Sequence, residues 1–140
     1  MKQRIFYEQF EPFYFYHGST QNWNMQGYHF HKDYEIILFM SEGARISIDN
    51  RVYSADVGDL FLINNLEYHK TTGQEGREYK RYVLMFDPDF VIAAEEAQKY
   101  PFTRYFINRP ENFAHKIHLS GKNLKKTIDL ADQVSGHGEE

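Results

Sequence analysis

The chain has 140 residues, a net charge of −4 and no cysteine, which suits one domain with a single core and excludes a disulfide scaffold or a thiolate metal site. The negative balance excludes nucleic-acid binding led by phosphate contacts, which needs clustered Lys and Arg. No apolar run approaches the length of a membrane span, and the start at Met1-Lys2-Gln3-Arg4 lacks an apolar signal-peptide core, so a cytoplasmic protein is expected.

Residues 5–17 form an aromatic arm containing Phe6, Tyr7, Phe10, Phe13, Tyr14, Phe15 and Tyr16, interrupted by Pro12. Proline argues against a long central strand, so the arm reads as short edge strands over the core or as a movable cover for a ligand. Gly18 to Gly27 is a polar connection carrying the only tryptophan, Trp23. Tyr34 to Met40 is apolar on both parities, as in a strand covered on both faces. Asp49-Asn50 separates two short strands as a hairpin turn, and Gly58-Asp59 turns into Leu60 to Ile63. Thr71 to Glu78 reads as a surface loop, and Tyr79 to Phe86 as a long strand.

The pattern then changes. Asp87-Pro88 supplies an N-cap and a first helical residue for a helix to about Lys99. Residues 102–119 are ambiguous. Ser120 can cap a last helix whose face of Leu124, Ile128, Ala131 and Val134 packs on its own domain or forms half of a dimer contact.

The chemistry concentrates in His29-Phe30-His31, Glu35 and His69. Histidines at i and i+2 of a strand share a face. A turn around Lys32-Asp33-Tyr34 returns Glu35 beside His31, and the segment after Gly58 delivers His69. Three imidazoles and a carboxylate inside a β shell suit a divalent Zn, Ni, Mn or Fe ion, a metal-free polar pocket, or buried histidines that brace the strands. Arg45 and Arg81 lie on predicted strands; outward they are solvated, inward either clamps an anionic or polyhydroxyl ligand. Tyr82 and Trp23 are stacking candidates, whereas His17, His115, His118 and His137 lack a partner pattern.

The order His29, His31, Glu35, Gly43, then Gly58 and His69, resembles the two cupin motifs. Asn64 and Leu66 stand where the second motif has its Pro and Gly, Gly43 lies one residue late, and no Asn follows His69 at the usual interval. Within cupins the stretch from His29 to Lys70, with the Phe86-Asp87-Pro88 turn, resembles the N-terminal domain of AraC-type transcriptional regulators. The resemblance implies a mainly β fold, a cupin-type double-stranded β-helix or jelly-roll barrel followed by C-terminal α-helices. It places the sensing barrel over residues 1–100, with the arm at 1–20, and a helical dimerisation or linker segment over 101–140. It implies a small-molecule effector, such as a sugar, in the barrel interior, where His29, His31, Glu35, Arg45, His69 and Tyr82 are the candidate contacts. No cofactor is expected, the alternative being a metal at His29, His31, Glu35 and His69. A homodimer through the C-terminal helices is expected, with DNA bound only by a helix-turn-helix domain that this chain lacks. The competing readings are a small metal-dependent cupin enzyme of isomerase or dioxygenase type, and a pure dimerisation module with a filled barrel.

Overall fold

The computed structural model describes residues 13–21, 23 and 32–138. Among the described residues the strands are β1 (Phe13–Gln21), β2 (Tyr34–Phe39), β3 (Ala44–Ile48), β4 (Arg51–Ala55), β5 (Asp59–Ile63), β6 (His69–Thr72) and β7 (Glu78–Phe86), with β8 (Lys116–His118) coming after the first helix. They form a five-stranded sheet, β1-β7-β2-β5-β8, and a three-stranded sheet, β4-β3-β6, with every pairing antiparallel. Helix α1 (Pro88–Gln98), a 3-10 turn (Phe102–Tyr105) and helix α2 (Gly121–Gly138) complete the domain.

Alternation along the strands determines what each sheet presents inward. Ile37, Phe39, Phe61, Ile63 and Tyr79 of the larger sheet meet Ala44, Ile46, Ile48 and Ala55 of the smaller one. The opposite parity of the larger sheet is apolar too, and this is where the helices pack. Leu62 and Phe86 lie under Val91 of α1 and Phe106, while Phe15, Leu38 and Tyr82 lie under Leu124, Ile128, Ala131 and Val134 of α2. The double-sided apolarity of β2 and β7 thus reflects a barrel interior on one side and helices on the other. The apolar face of α2 is engaged with its own sheet.

Local chemistry sets the turns. Asp49 takes φ 52 in the β3–β4 turn, and its Oδ1 accepts from the Tyr68 backbone at 3.1 Å. The positive φ falls on Asp49 rather than on Asn50, the residue that composition favoured for it. Asp87 caps α1, its carboxylate accepting from Asp89 N, with Pro88 at the first helical position. Lys99 ends the helix in the left-handed region at φ 57.

Three stretches differ from the sequence expectation. The strand β1 runs on through Gln21, because its whole length pairs with β7 from Phe13↔Phe86 to Gln21↔Glu78. Thr71 and Thr72, read as the start of a loop, end the strand β6, which pairs to β3 with alternate residues buried. Within the ambiguous stretch 102–119, Lys116–His118 folds back as an edge strand on β5.

Gly58 is the turn residue with least latitude. Its φ is +94, and a Cβ there would press on the Leu119 carbonyl oxygen, while Leu119 N donates to Gly58 O at 2.8 Å. Gly58→Ala is expected to cost about 1–3 kcal/mol, the usual size of such backbone strain, read as a lower urea midpoint; an unchanged midpoint would show that the turn relaxes freely.

Candidate functional site

Glu35 is the second residue of β2 and faces the interior between Ile63 of β5 and Met85 of β7. His69 opens β6 opposite Ile48 of β3. One group therefore comes from each sheet, and they meet inside the barrel with Nε2 of His69 2.9 Å from Oε1 of Glu35. Both are buried, at 2% and 6% exposure.

The hydrogen-bond partners determine the protonation of this pair. Nδ1 of His69 lies 3.3 Å from the Glu67 carbonyl, which can only accept, so Nδ1 carries a proton. Nε2 faces a carboxylate and donates to it. Burial, the largest single influence, lowers the imidazole pKa; the hydrogen bond and charge of Glu35, joined by the Glu67 carbonyl and charge, outweigh it and raise the pKa above the ordinary histidine value. The Glu35 carboxylate thus favours the charged form of the His69 imidazole. The same orientation, with Nδ1–H on a carbonyl and Nε2 turned inward, is the one a metal-ligating histidine adopts.

A second, half-buried network adjoins the first. Glu67 accepts from Arg109 at 2.6 Å through one oxygen and from His115 Nε2 at 2.6 Å through the other, and Asn64 N donates to it at 3.0 Å. Nδ1 of His115 is hydrogen-bonded to the Tyr53 hydroxyl at 2.8 Å. Burial, the largest influence, pushes the Glu67 carboxyl up, but His115, the Asn64 amide and Arg109 together hold it down to about 2. Arg51 clamps the chain above this layer, donating to the carbonyls of Phe113 at 2.7 Å and Glu111 at 2.6 Å. Beside these residues a cleft of about 620 Å³ is lined by Ile48, Arg51, Asn64, Glu67, Arg109 and His115, among others.

The β5–β6 turn shows how the altered cupin motif still works. Asn64 Oδ1 accepts from Leu66 N at 2.8 Å, an Asx-type turn, and its Nδ2 donates to the Phe106 carbonyl at 3.1 Å. Asn64 thereby closes the turn in place of Pro and Gly and ties it to the chain beneath α1.

The placement of the other candidates follows from strand parity. Arg45 is exposed on the outward face of β3, because Ala44, Ile46 and Ile48 take the inward positions. Tyr82 is buried, but under α2 rather than in the barrel: its hydroxyl donates to Asp132 at 2.9 Å and its ring stacks on His17 at 4.0 Å. Both positions correct the expectation that Arg45 and Tyr82 line the interior. Burial and the bond to Asp132 push the Tyr82 phenol up to about 12, so it stays a donor. Arg81 is the strand arginine that points inward, at 6% exposure. His29 and His31 lie outside the described residues, and among the described residues no three His, Cys, Asp or Glu gather to hold a metal. Glu35 and His69 would supply half of a four-ligand set.

Sequence reasoning missed Glu67, Arg109 and His115. Glu67 shares the parity of His69 two residues on, which was a usable signal. Arg109 and His115 lie in a stretch without period, and only the fold brings them to Glu67. His118 also acquires a partner, Asp59 Oδ1, at 2.7 Å.

Comparison with known proteins matches this barrel. The AraC-like ligand binding domain model matches residues 12–132. The chain belongs to the AraC-like ligand-binding domain family. No curated protein matches it. Among solved structures, this AraC-like domain is similar to ToxT from Vibrio cholerae, with a TM-score of 0.62 at 9% identity over 86% of this chain and 48% of ToxT. It is also similar to plu4264 from Photorhabdus luminescens, with a TM-score of 0.51 at 18% identity over 64% of this chain and 74% of that one. A Cupin 2 conserved barrel domain protein from Salinispora arenicola gives a TM-score of 0.50 at 18% identity, covering 62% of this chain and 73% of its own. At these identities the likeness is one of fold, and the AraC-like domain spans about half of ToxT. No described helix is long and apolar enough to cross a membrane.

Proposed function

We propose that this AraC-like domain is the sensing domain of an AraC-type transcriptional regulator in the cytoplasm, binding a small-molecule effector in its barrel. The observation that carries the reading is the Glu35–His69 pair, buried and hydrogen-bonded, set between the two sheets beside the apolar core. Such a pair offers a ligand a donor and an acceptor at a fixed separation, and polar anchors in an apolar surround are what a small-molecule site needs. DNA contact belongs to a further domain of the longer regulator, in keeping with the net charge of −4 here.

The signal we propose is a population shift. On β2, inward Glu35 lies between outward Tyr34 and Ile36, and Tyr34 stacks on Phe106 at 4.6 Å. A ligand that rearranges Glu35 therefore acts one residue away from the packing beneath α1. Homodimerisation through the C-terminal helices would use the outward side of α2, which includes exposed Leu130, since the opposite face is spent on the sheet.

The test is a thermal-shift screen of sugars and small acids, followed by calorimetric titration of the best hit. His69→Ala is expected to weaken that hit at least tenfold, about 1.4 kcal/mol. Unchanged affinity in a folded variant removes His69 from the site. A metal-dependent enzyme is the second reading, favoured by the inward Nε2 of His69. Elemental analysis of protein purified without added metal or chelator separates the two: stoichiometric transition metal lost in Glu35→Ala supports the enzyme.

A further inference from the structure

We infer that the barrel holds a second polar anchor, centred on Arg81, that selects an effector carrying a carboxylate. The proposal deepens the effector reading above and rests on it.

Arg81 lies on the inward face of β7, four residues along the strand from the position opposite Glu35, and is 6% exposed. An arginine cannot shed its proton to escape burial, so its charge must be met in place. Nη1 is occupied, donating to Thr20 Oγ1 at 3.0 Å and to the Tyr79 carbonyl at 2.9 Å. Both acceptors are neutral. Among the described residues no Asp or Glu forms an ion pair with it; Glu35 is taken by His69 and Glu67 by Arg109. Nε and Nη2 have no acceptor there either.

Aromatic rings surround the guanidinium. The rings of Tyr79, Tyr16 and Trp23 lie 4.3, 5.0 and 5.0 Å from its central carbon. Rings attract a cation through its faces and leave its in-plane edge for hydrogen bonding. The ring positions are themselves fixed: Trp23 Nε1 donates to Thr71 Oγ1 at 2.8 Å, and Trp23 stacks on Tyr79 at 5.7 Å. What lacks a protein acceptor among the described residues is the Nε–Nη2 edge, a fork of parallel N–H groups. That fork matches the two oxygens of a carboxylate, which would supply the missing charge and both acceptors at once. With Tyr16, Tyr79 and Trp23 as walls, the ligand class is a small organic acid with an apolar or aromatic body.

Trp23 is the only tryptophan in the chain, so its fluorescence reports this site alone. The probes are benzoate and hexanoate, each titrated beside its neutral amide, against the unaltered protein and against Arg81→Lys, which keeps the charge and loses the fork. The expected result is a saturable Trp23 change with at least one acid, no comparable change with its amide, and at least tenfold weaker binding in Arg81→Lys. The comparison of acid with amide needs no variant, so it stands even if Arg81→Lys does not fold. No saturable change with either acid, equal binding of the amide, or unchanged affinity in folded Arg81→Lys would overturn the assignment. A neutral ligand lost in His69→Ala but indifferent to Arg81→Lys would keep the effector pocket and sink the anion anchor.

Discussion

Phe61→Ala is expected to lower folding stability by about 3–5 kcal/mol, among the larger costs of any single truncation here. Phe61 is fully buried at the middle of β5, edge-on to Phe39 at 5.5 Å and to Tyr53 at 5.3 Å, so its removal opens a void between the two sheets. Urea denaturation followed by far-UV circular dichroism measures it. A loss below about 1 kcal/mol would mean that the barrel wall collapses onto the space, contrary to the close packing of both inner faces.

The same residue shows what the sequence made legible. Leu60-Phe61-Leu62-Ile63 after Gly58-Asp59 announced a buried strand, and the fold uses both of its faces, one inward and one under the helices. The helix after Asp87-Pro88 and the packed face of the last helix were readable for the same reason: capping and period are local. Glu35 and His69 were paired in advance because a known family order carries them. Inward or outward facing was harder to read. Tyr82 and Arg81 are adjacent on one strand with apolar neighbours on both faces, so nothing local says which of them enters the barrel; the register of β7 against β2 decides it. The Glu67 network was less legible still, since Arg109 and His115 reach Glu67 across 42 and 48 residues. Long-range polar partners leave no periodic trace in a single chain.

Glu67→Ala is expected to cost about 2–3 kcal/mol, toward the lower side of what removing one partner from a buried ion pair costs, because Glu67 is only partly buried. The Arg109 side chain is 5% exposed and would be left without its carboxylate, and His115 would lose the same partner. Glu67→Gln should cost less, because the amide keeps the shape and one acceptor.

Acidity offers an independent check. The folded Glu67 carboxyl, at about 2, lies below the ordinary glutamate value of 4.5, so its contribution is fully present above the unfolded value and is lost as pH falls from about 4.5 toward 2. The unaltered protein should therefore lose more stability over that window than Glu67→Gln does. Parallel curves for the two proteins would mean that Glu67 does not carry the pH dependence.

Glu35 and His69 are proposed to anchor a small molecule inside the barrel. Native mass spectrometry of the domain, after incubation with a small-metabolite extract and desalting, tests it most directly. One discrete added mass is expected on the unaltered protein, absent from folded His69→Ala and Glu35→Gln. The same mass retained by both variants, or no added mass on any of the three proteins, would contradict it.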